Sequence, residues 1–364
     1  MPEALRVLVA GWPNSPHVTS WAEAVAAAGH EVHIAGRDAP QLPLSEEGER
    51  VHRLPGEGPP LVRSLRISRA LGRVAADVSP DLVHAHWLPE YGWMAAREGL
   101  RPLICSAWGS DVLGARGLGR LRSRRALEGA RLVMADSDHL ARAIRALADA
   151  RVEVVRWGLD LSAFAPGDAS AAREALGLDH EGPLVASMRG FAKVYNTPLV
   201  LGAFARVRER RPDARLLLKG ADGPVPADLK QALERLAIRD AVTMMGSVPR
   251  ERMPDVYRAA DVVLSIASSD SSPRSAWEAL ACGRPAVLSD LPWAREELEP
   301  ERHALLVSLD EDAVGSAVLR ILEDAELAAR LGKDGRALAA AELDPAACTA
   351  RIDALYRSTV EDSR

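Results

Sequence analysis

Lysine is nearly missing from this chain of 364 residues. Lys193, Lys219, Lys230 and Lys333 are all there are, in a total of 46 basic residues. Arginine by itself therefore says little, and each lysine stands out. Cysteine is scarce as well. Cys105, Cys282 and Cys348 are odd in number and far apart, which excludes a disulfide framework and zinc-ligand spacing. No apolar run approaches the ~18 residues of a membrane span. The opening MPEALRVLVAGW carries an acid and enters a strand pattern at once, so it does not read as a secretory signal. These absences make the cytoplasm the expected compartment. A net charge of −5 speaks against nucleic acid as the main partner. G-x-G-x-x-G is lacking after the first strand pattern, which counts against a nicotinamide dehydrogenase.

What is present is a globular composition, 48% apolar and 27% charged. At ~100–200 residues per domain the length suggests two domains. In the first half, short apolar runs alternate with amphipathic segments: LRVLVAG, HEVHIAG, DLVHAHW, PLICSAWG, RLVMAD and VEVVRWG read as strands. Strand, helix, strand at this spacing predicts parallel βαβ units. Residues 37–60 are rich in Pro and Gly and read as a long irregular loop. A composition break at FAPGDASAAREALGLDHEGP (Phe164–Pro183) precedes a second series: LVASM, ARLLLKG, AVTMMG, DVVLSIA and PAVLSD. The expectation is an α/β chain of two Rossmann-like, doubly wound domains facing across a cleft. They would span 1–165 and 166–345, with a C-terminal helix over 346–364 crossing back to the first. Ligands in such sheets bind beyond the C-terminal strand ends.

One stretch carries paired acids at such an end. DVVLSIA (Asp261–Ala267) is followed by SSDSSPRSAWEALACG (Ser268–Gly283). Ser272 is placed to cap a helix, Pro273 to open it and Gly283 to stop it, which predicts a helix over Pro273–Cys282. Free N–H groups at Arg274–Ala276 would seat an anion. Glu278 shares a face with Arg274 and Ser275, and its side chain leans back toward the helix start. Asp270 stands in the loop before it, with Ser271 and Ser272. A diphosphate on the helix start with polyol hydroxyls on the acids would suit a nucleotide-sugar. A capped helix with a surface Glu is the plainer alternative from spacing alone.

The segment DVVLSIASSDSSPRSAWEALACGRPAVLSDLPWAREEL resembles the signature of retaining glycosyltransferase family 4, which has the GT-B fold. The matching residues are Asp270, Glu278, Ala279, Ala281, Gly283, Pro285, Ala286, Val287, Ser289, Asp290 and Glu296 or Glu297. The resemblance implies that Asp270 binds the donor sugar's hydroxyls and Glu278 the ribose. The family has Glu and a Gly-rich turn where this chain has Asp270 and Ser271, so the sugar contact is open to remodelling. SMRGFAKVYNT (Ser187–Thr197) resembles the family loop whose Arg189 and Lys193 would clamp the donor diphosphate, here with a spacing of four rather than five. LLLKGADG resembles the glycine motif near the base, through Gly220 and Gly223, and leaves Lys219 between cleft and structure. Gly246 and Val248 would line the base pocket. No cofactor and no metal are implied. The partners would be a UDP-, GDP-, ADP- or TDP-sugar and a small-molecule, glycan or lipid-linked acceptor.

In the first half, GWPNSPH (Gly11–His17) matches the family's first loop and makes His17 a cleft candidate. His84 and His86 share a strand face. His84 reads as a core residue and His86 as a possible acceptor contact. Trp108 stands where relatives carry a His, beside Asp111 in SAWGSDVL. ADSD (Ala135–Asp138) imitates a metal-binding D-x-D, but Ser137 or Asp138 as a helix cap accounts for it. Two arginine stripes, Arg63/Arg66/Arg69/Arg73 and Arg116/Arg120/Arg122/Arg124/Arg125, suit a phosphorylated acceptor, an anionic membrane surface or plain solvent. The rivals to a retaining glycosyltransferase are a non-catalytic sugar-nucleotide-binding protein and another GT-B enzyme, such as an epimerase or a phosphorylase.

Overall fold

The computed structural model describes residues 3–37, 49–220 and 225–363. Gly223 lies outside them. The chain divides into two units, 1–158 with 345–364, and 159–344.

The first unit runs β1 (Arg6–Ala10), α1 (Pro16–Ala27), β2 (Glu31–Gly36), β3 (Glu49–Arg53), α2 (Pro60–Val78), β4 (Leu82–His86), α3 (Trp93–Arg97), β5 (Leu103–Ser106), α4 (Gly117–Gly129), β6 (Leu132–Ala135), α5 (Asp138–Leu147) and β7 (Val152–Val154). Its sheet order is β3-β2-β1-β4-β5-β6-β7, all parallel. Side chains alternate across it. Leu8, Ala10, Val83 and Ala85 pack with Ile67, Leu71, Met94 and Ala126 on one face. Val7, Val9, Leu82 and Ile104 pack with Trp21 and Val25 on the other.

β3 corrects the reading of 37–60 as one irregular loop. It is an edge strand in register with β2, Val32↔Glu49 through Gly36↔Arg53. An edge strand has one neighbour, so the apolar content of ERVHR need be no more than Val51.

The second unit runs α6 (Ala169–Ala175), β8 (Leu184–Ser187), α7 (Thr197–Arg210), β9 (Arg215–Lys219), α8 (Ala227–Arg235), β10 (Val242–Met245), α9 (Met253–Ala259), β11 (Val262–Ser265), α10 (Arg274–Ala281), β12 (Ala286–Ser289), α11 (Pro292–Glu297), β13 (Leu305–Val307), α12 (Glu311–Glu323) and α13 (Ala325–Glu342). Its sheet order is β10-β9-β8-β11-β12-β13, again parallel. The expected junction at 165/166 moves to 158/159. Leu159 and Phe164 are buried in the second core. Arg258 donates to the carbonyls of Ala163 and Ala165, and Arg336 to those of Leu161 and Phe164.

The last helix, α14 (Pro345–Glu361), belongs to the first unit. Ile352, Leu355, Tyr356 and Val360 join the Val7–Trp21 core. The Tyr356 hydroxyl takes a bond from Trp21 Nε1 (2.8 Å) and gives its proton to His84 Nδ1 (2.6 Å). His84 Nε2 then donates to Ser106 Oγ (2.8 Å). This chain fixes the His84 tautomer and accounts for all its polar atoms, as the core reading requires. Among the described residues no helix is long and apolar enough to cross a membrane.

Candidate active site

In the second unit the C-terminal ends of β8 and β11 bring Arg189 and Asp270 together. Arg189 Nη2 donates to Asp270 Oδ2 at 2.8 Å, and Nη1 to Ser275 Oγ at 3.0 Å. The guanidinium lies over the Tyr195 ring, 4.3 Å from its centroid. The two side chains of the pair are only 13% and 16% exposed, so water screens them little. Burial pushes the Asp270 carboxyl up, while Arg189 and the Ser271 N–H (3.1 Å) pull it back.

Asp270 lies in the loop after β11, and Ser275 and Glu278 follow on α10. The β11 end is tied to the loop after β8 by the Ser268 N–H on the Val194 carbonyl, 2.8 Å. Asn196 at φ +47° turns that loop back into α7. Lys193 stands in a short 3-10 turn, exposed. No bond joins it to Arg189 or to either acid among the described residues. Gly220 lies against Phe191, where a Cβ would come within 2.4 Å of the ring. A side chain there would require the Phe191 ring to move. Gly246 and Val248 follow β10 and are half-buried. Lys219 ends β9, also half-buried.

The expected helix start is corrected in one respect. Ser272 does not cap α10. Its hydroxyl takes a bond from Trp277 Nε1 (2.8 Å) and donates to Glu297 Oε2 (2.8 Å). No side chain caps the helix, and Pro273 precedes its first residue. The Ala276 N–H turns back to the Pro273 carbonyl at 2.9 Å. The anion-seeking donors are thus Arg274 N–H and Ser275 N–H, one residue fewer than expected.

Glu278 is engaged on both oxygens. Oε2 accepts from the Tyr257 hydroxyl (2.7 Å) and Oε1 from Arg274 Nε (3.0 Å). Each oxygen keeps a second lone pair for a ligand hydroxyl. Tyr257 is fully buried, and burial followed by the Glu278 charge raises its pKa. Sequence reasoning missed Tyr257 and Tyr195. Tyr195 stood in the matched segment Ser187–Thr197 and Tyr257 just before Asp261, but only three-dimensional proximity gives them work. Asp290 is taken by Arg295, whose bonds hold its carboxyl low.

In the first unit the strand ends carry indoles. Trp12, Trp87 and Trp108 form a triangle with ring centroids 5.7–5.8 Å apart. His17 lies between Trp108 (5.0 Å) and Trp157 (4.9 Å). Trp87 holds φ +70°, a left-handed conformation that costs a bulky residue about 1–2 kcal/mol. Asp111 secures it. This carboxylate is buried and accepts from Leu88 N–H (3.1 Å) and Trp108 N–H (2.9 Å), joining both indole loops. Burial raises Asp111 to about 6. It is a positioning residue here, with both oxygens on backbone donors. His86 has no exposed surface. Burial, then the neighbouring His17, holds it down to about 3, so it is a neutral ring. The ADSD segment ends in a helix cap, Ser137 Oγ accepting from Leu140 N–H at 3.2 Å.

Comparison with known proteins agrees with this architecture. Residues 168–338 match the model of "Glycosyl transferases group 1", and residues 6–137 that of "Glycosyl transferase 4-like". The chain is 30% identical over 308 residues to D-inositol 3-phosphate glycosyltransferase 2 of Catenulispora acidiphila, covering 78% of this chain and 72% of that one. It is 33% identical to D-inositol 3-phosphate glycosyltransferase of Mycobacteroides abscessus, covering 66% and 59%. The chain spans about half the length of several other curated relatives that it matches, and 31% of the Segniliparus rotundus protein. Among solved structures, sucrose-phosphate synthase from Thermosynechococcus elongatus superposes with a TM-score of 0.84 at 22% identity, covering 97% and 98%. HepE of Anabaena, in complex with UDP-glucose, gives 0.83 at 18%, covering 97% and 100%. At those identities the structures establish the GT-B fold and nothing more. The chain belongs to the family 4 type of GT-B glycosyltransferases.

Proposed function

We propose that this protein moves a sugar from a nucleoside-diphosphate sugar to a hydroxyl acceptor, with retention of anomeric configuration and without a metal. The observation that carries the reading is Arg189, fixed between Asp270 and Ser275 beside the uncapped start of α10. When the bond from the anomeric carbon to the diphosphate oxygen breaks, negative charge grows on that oxygen. Guanidinium N–H groups and helix N–H groups stabilise such charge. Lys193 adds a second cation from the same loop. The acceptor hydroxyl attacks on the same face and its proton passes to the departing phosphate oxygen. Asp270 accepts hydrogen bonds from the sugar and Glu278 from the ribose, as the family resemblance implies.

The reading includes a cytoplasmic enzyme with its acceptor held by the first unit, and a peripheral place at a membrane. His86 is fully buried and held at about 3, too weak and too enclosed to take the acceptor's proton, which removes one of the three candidates for an acceptor-side base and leaves His17 and Asp111 to mutation. HepE was solved with UDP-glucose, and the relatives are titled for D-inositol 3-phosphate. Those are the first donor and acceptor to offer this chain.

The test is transfer from UDP-, GDP-, ADP- and TDP-sugars to inositol 3-phosphate and to other polyols, followed by NMR of the first product. An α-donor giving an α-glycoside supports retention; a β-glycoside refutes it. Loss of turnover in EDTA, restored by magnesium or manganese, refutes metal independence. Tight donor binding with neither transfer nor hydrolysis would mean a binding protein. An epimerised donor would mean an epimerase.

A further inference from the structure

We propose that α2 and α4 of the first unit form a docking surface for an anionic lipid bilayer. The two helices carry the same pattern. Val62, Leu65, Arg66 and Arg69 occupy positions i, i+3, i+4 and i+7 of one helical face. Leu118, Leu121, Arg122 and Arg125 repeat that spacing, aliphatic at the first two places and arginine at the last two. Each set is one outward face. The opposite sides, Ile67 and Leu71 in α2 and Ala126 and Leu127 in α4, are in the core.

The aliphatic residues are exposed: Val62 44%, Leu65 39%, Leu118 55% and Leu121 59%. Among the described residues the only other large apolar side chain so exposed is Leu309, in the other unit. α3 packs against both helices and brings the faces together. An open groove of about 480 Å³ is lined by Leu65, Trp93, Leu118, Leu121, Arg122 and Arg125. The Arg122 guanidinium lies over the Trp93 ring, 4.3 Å from its centroid.

Among the described residues the charge is largely uncompensated. Glu128 takes Arg124 (2.9 Å) and Arg125 (3.6 Å), and Glu98 takes Arg97 (2.6 Å). Among the described residues no ion pair reaches Arg63, Arg66, Arg69, Arg73, Arg116, Arg120 or Arg122. Yet the whole chain is acidic, at −5, so this is a local feature and not a spill-over of general basicity.

The aliphatic residues decide the occupant. Seven arginines without an ion pair among the described residues would by themselves suit any polyanion. A soluble phosphate or a nucleic acid gains nothing from four exposed aliphatics among them. A membrane interface uses both, burying leucines among acyl chains while arginines reach the headgroups. Tryptophan, as at Trp93, also favours that boundary. The surface belongs to the first unit and the Arg189–Asp270 pair to the second; the proposal rests on the peripheral membrane place included in the proposed function, and its vesicle test does not depend on Arg189 or Asp270.

The test is co-sedimentation with phosphatidylcholine vesicles, with and without phosphatidylglycerol. The expected result is salt-sensitive binding to the phosphatidylglycerol vesicles alone. Arg66→Gln with Arg69→Gln should weaken it about 25-fold, from about fivefold per arginine. Leu118→Ser with Leu121→Ser should weaken it about tenfold or more, from half-burial of two leucines. Unchanged melting curves would show that the variants remain folded. No binding to phosphatidylglycerol vesicles overturns the proposal. So does equal binding to phosphatidylcholine, or wild-type binding by both variants. Full displacement by soluble glycerol phosphate would mean a small-anion site, and binding to polyglutamate but not vesicles an acidic protein partner. Either also overturns it.

Discussion

The two units are built on one plan and finish their strands differently. In the first, the residues at and beyond the C-terminal ends of β1, β4, β5 and β7 are Trp12, His86 and Trp87, Trp108, and Trp157. In the second, the loops beyond β8 and β11 carry Arg189 and Asp270. Burial among aromatics holds His86 at about 3, so that ring stays neutral. Burial of Arg189 beside Asp270 and Ser275 keeps a cation in place at the other. A parallel sheet delivers side chains to one edge whatever they are. Whether that edge suits an anion or an apolar ring face is decided by a few residues after the strands.

Arg189→Ala should break the contrast most. Loss of a donor aimed at developing charge costs about 10²–10³-fold in turnover. Steady-state kinetics on a soluble acceptor would read it, and a loss under about tenfold would leave the second unit without its distinguishing cation. Glu278→Ala, beside it, should act mainly on donor binding, seen as a higher donor KM with turnover less affected.

A pair of conservative changes sharpens the comparison in stability. Tyr356→Phe orphans buried Trp21 Nε1 and His84 Nδ1 in the first unit, at about 1–3 kcal/mol for each group. Tyr257→Phe in the second leaves Glu278 still bonded to Arg274, so about 1 kcal/mol is expected. Urea titrations giving equal losses would contradict this.

Acid should act on the first unit through opposed groups. His84 is held well below its usual range and His86 at about 3. The unfolded chain therefore takes up protons below about 6.5 that the folded one refuses. Stability falls with pH there by about 1.4 kcal/mol per unit for each histidine. Asp111, raised to about 6, runs the other way: the folded unit binds its proton first, so stability falls as pH rises toward 6. Asp111→Asn removes the opposing contribution. The loss of stability between pH 6 and 4 should steepen by about 1.4 kcal/mol per pH unit, in urea midpoints followed by tryptophan fluorescence. An unchanged slope would mean that Asp111 is ionised throughout.

The smallest effect concerns the imitation metal motif. Ser137→Ala should cost about 1 kcal/mol as a lost cap, and Asp138→Ala almost nothing, in thermal melts. A larger effect of Asp138 on activity would reopen D-x-D.

The donor-side candidates were legible because they are nearly contiguous. Strand, polar loop and helix fall in one stretch, and Asp270, Ser275 and Glu278 keep their order along it. The Ser272 cap failed because the hydroxyl had a better offer from Trp277 and Glu297, and neither partner is predictable from capping rules. His86 was ambiguous for a related reason. Alternation fixes which face a strand residue takes, but not that Trp21, Trp108 and Trp157 close over it.

The sequence by itself determined the order of the strands and helices other than the edge strand β3, since apolar periodicity and turn residues act over a few neighbours. It also determined the acidic loop and helix that carry the family signature. Tertiary structure alone decided that Arg189 meets Asp270, 81 residues away. It also decided that β3 pairs at an edge, that α14 closes the first core through Tyr356, and that two distant Leu–Arg faces share one surface. In a parallel sheet sequence neighbours are joined by crossovers, so strand order, and not chain order, sets which loops touch. That order follows from packing the helices on both faces at once, a condition no single segment contains.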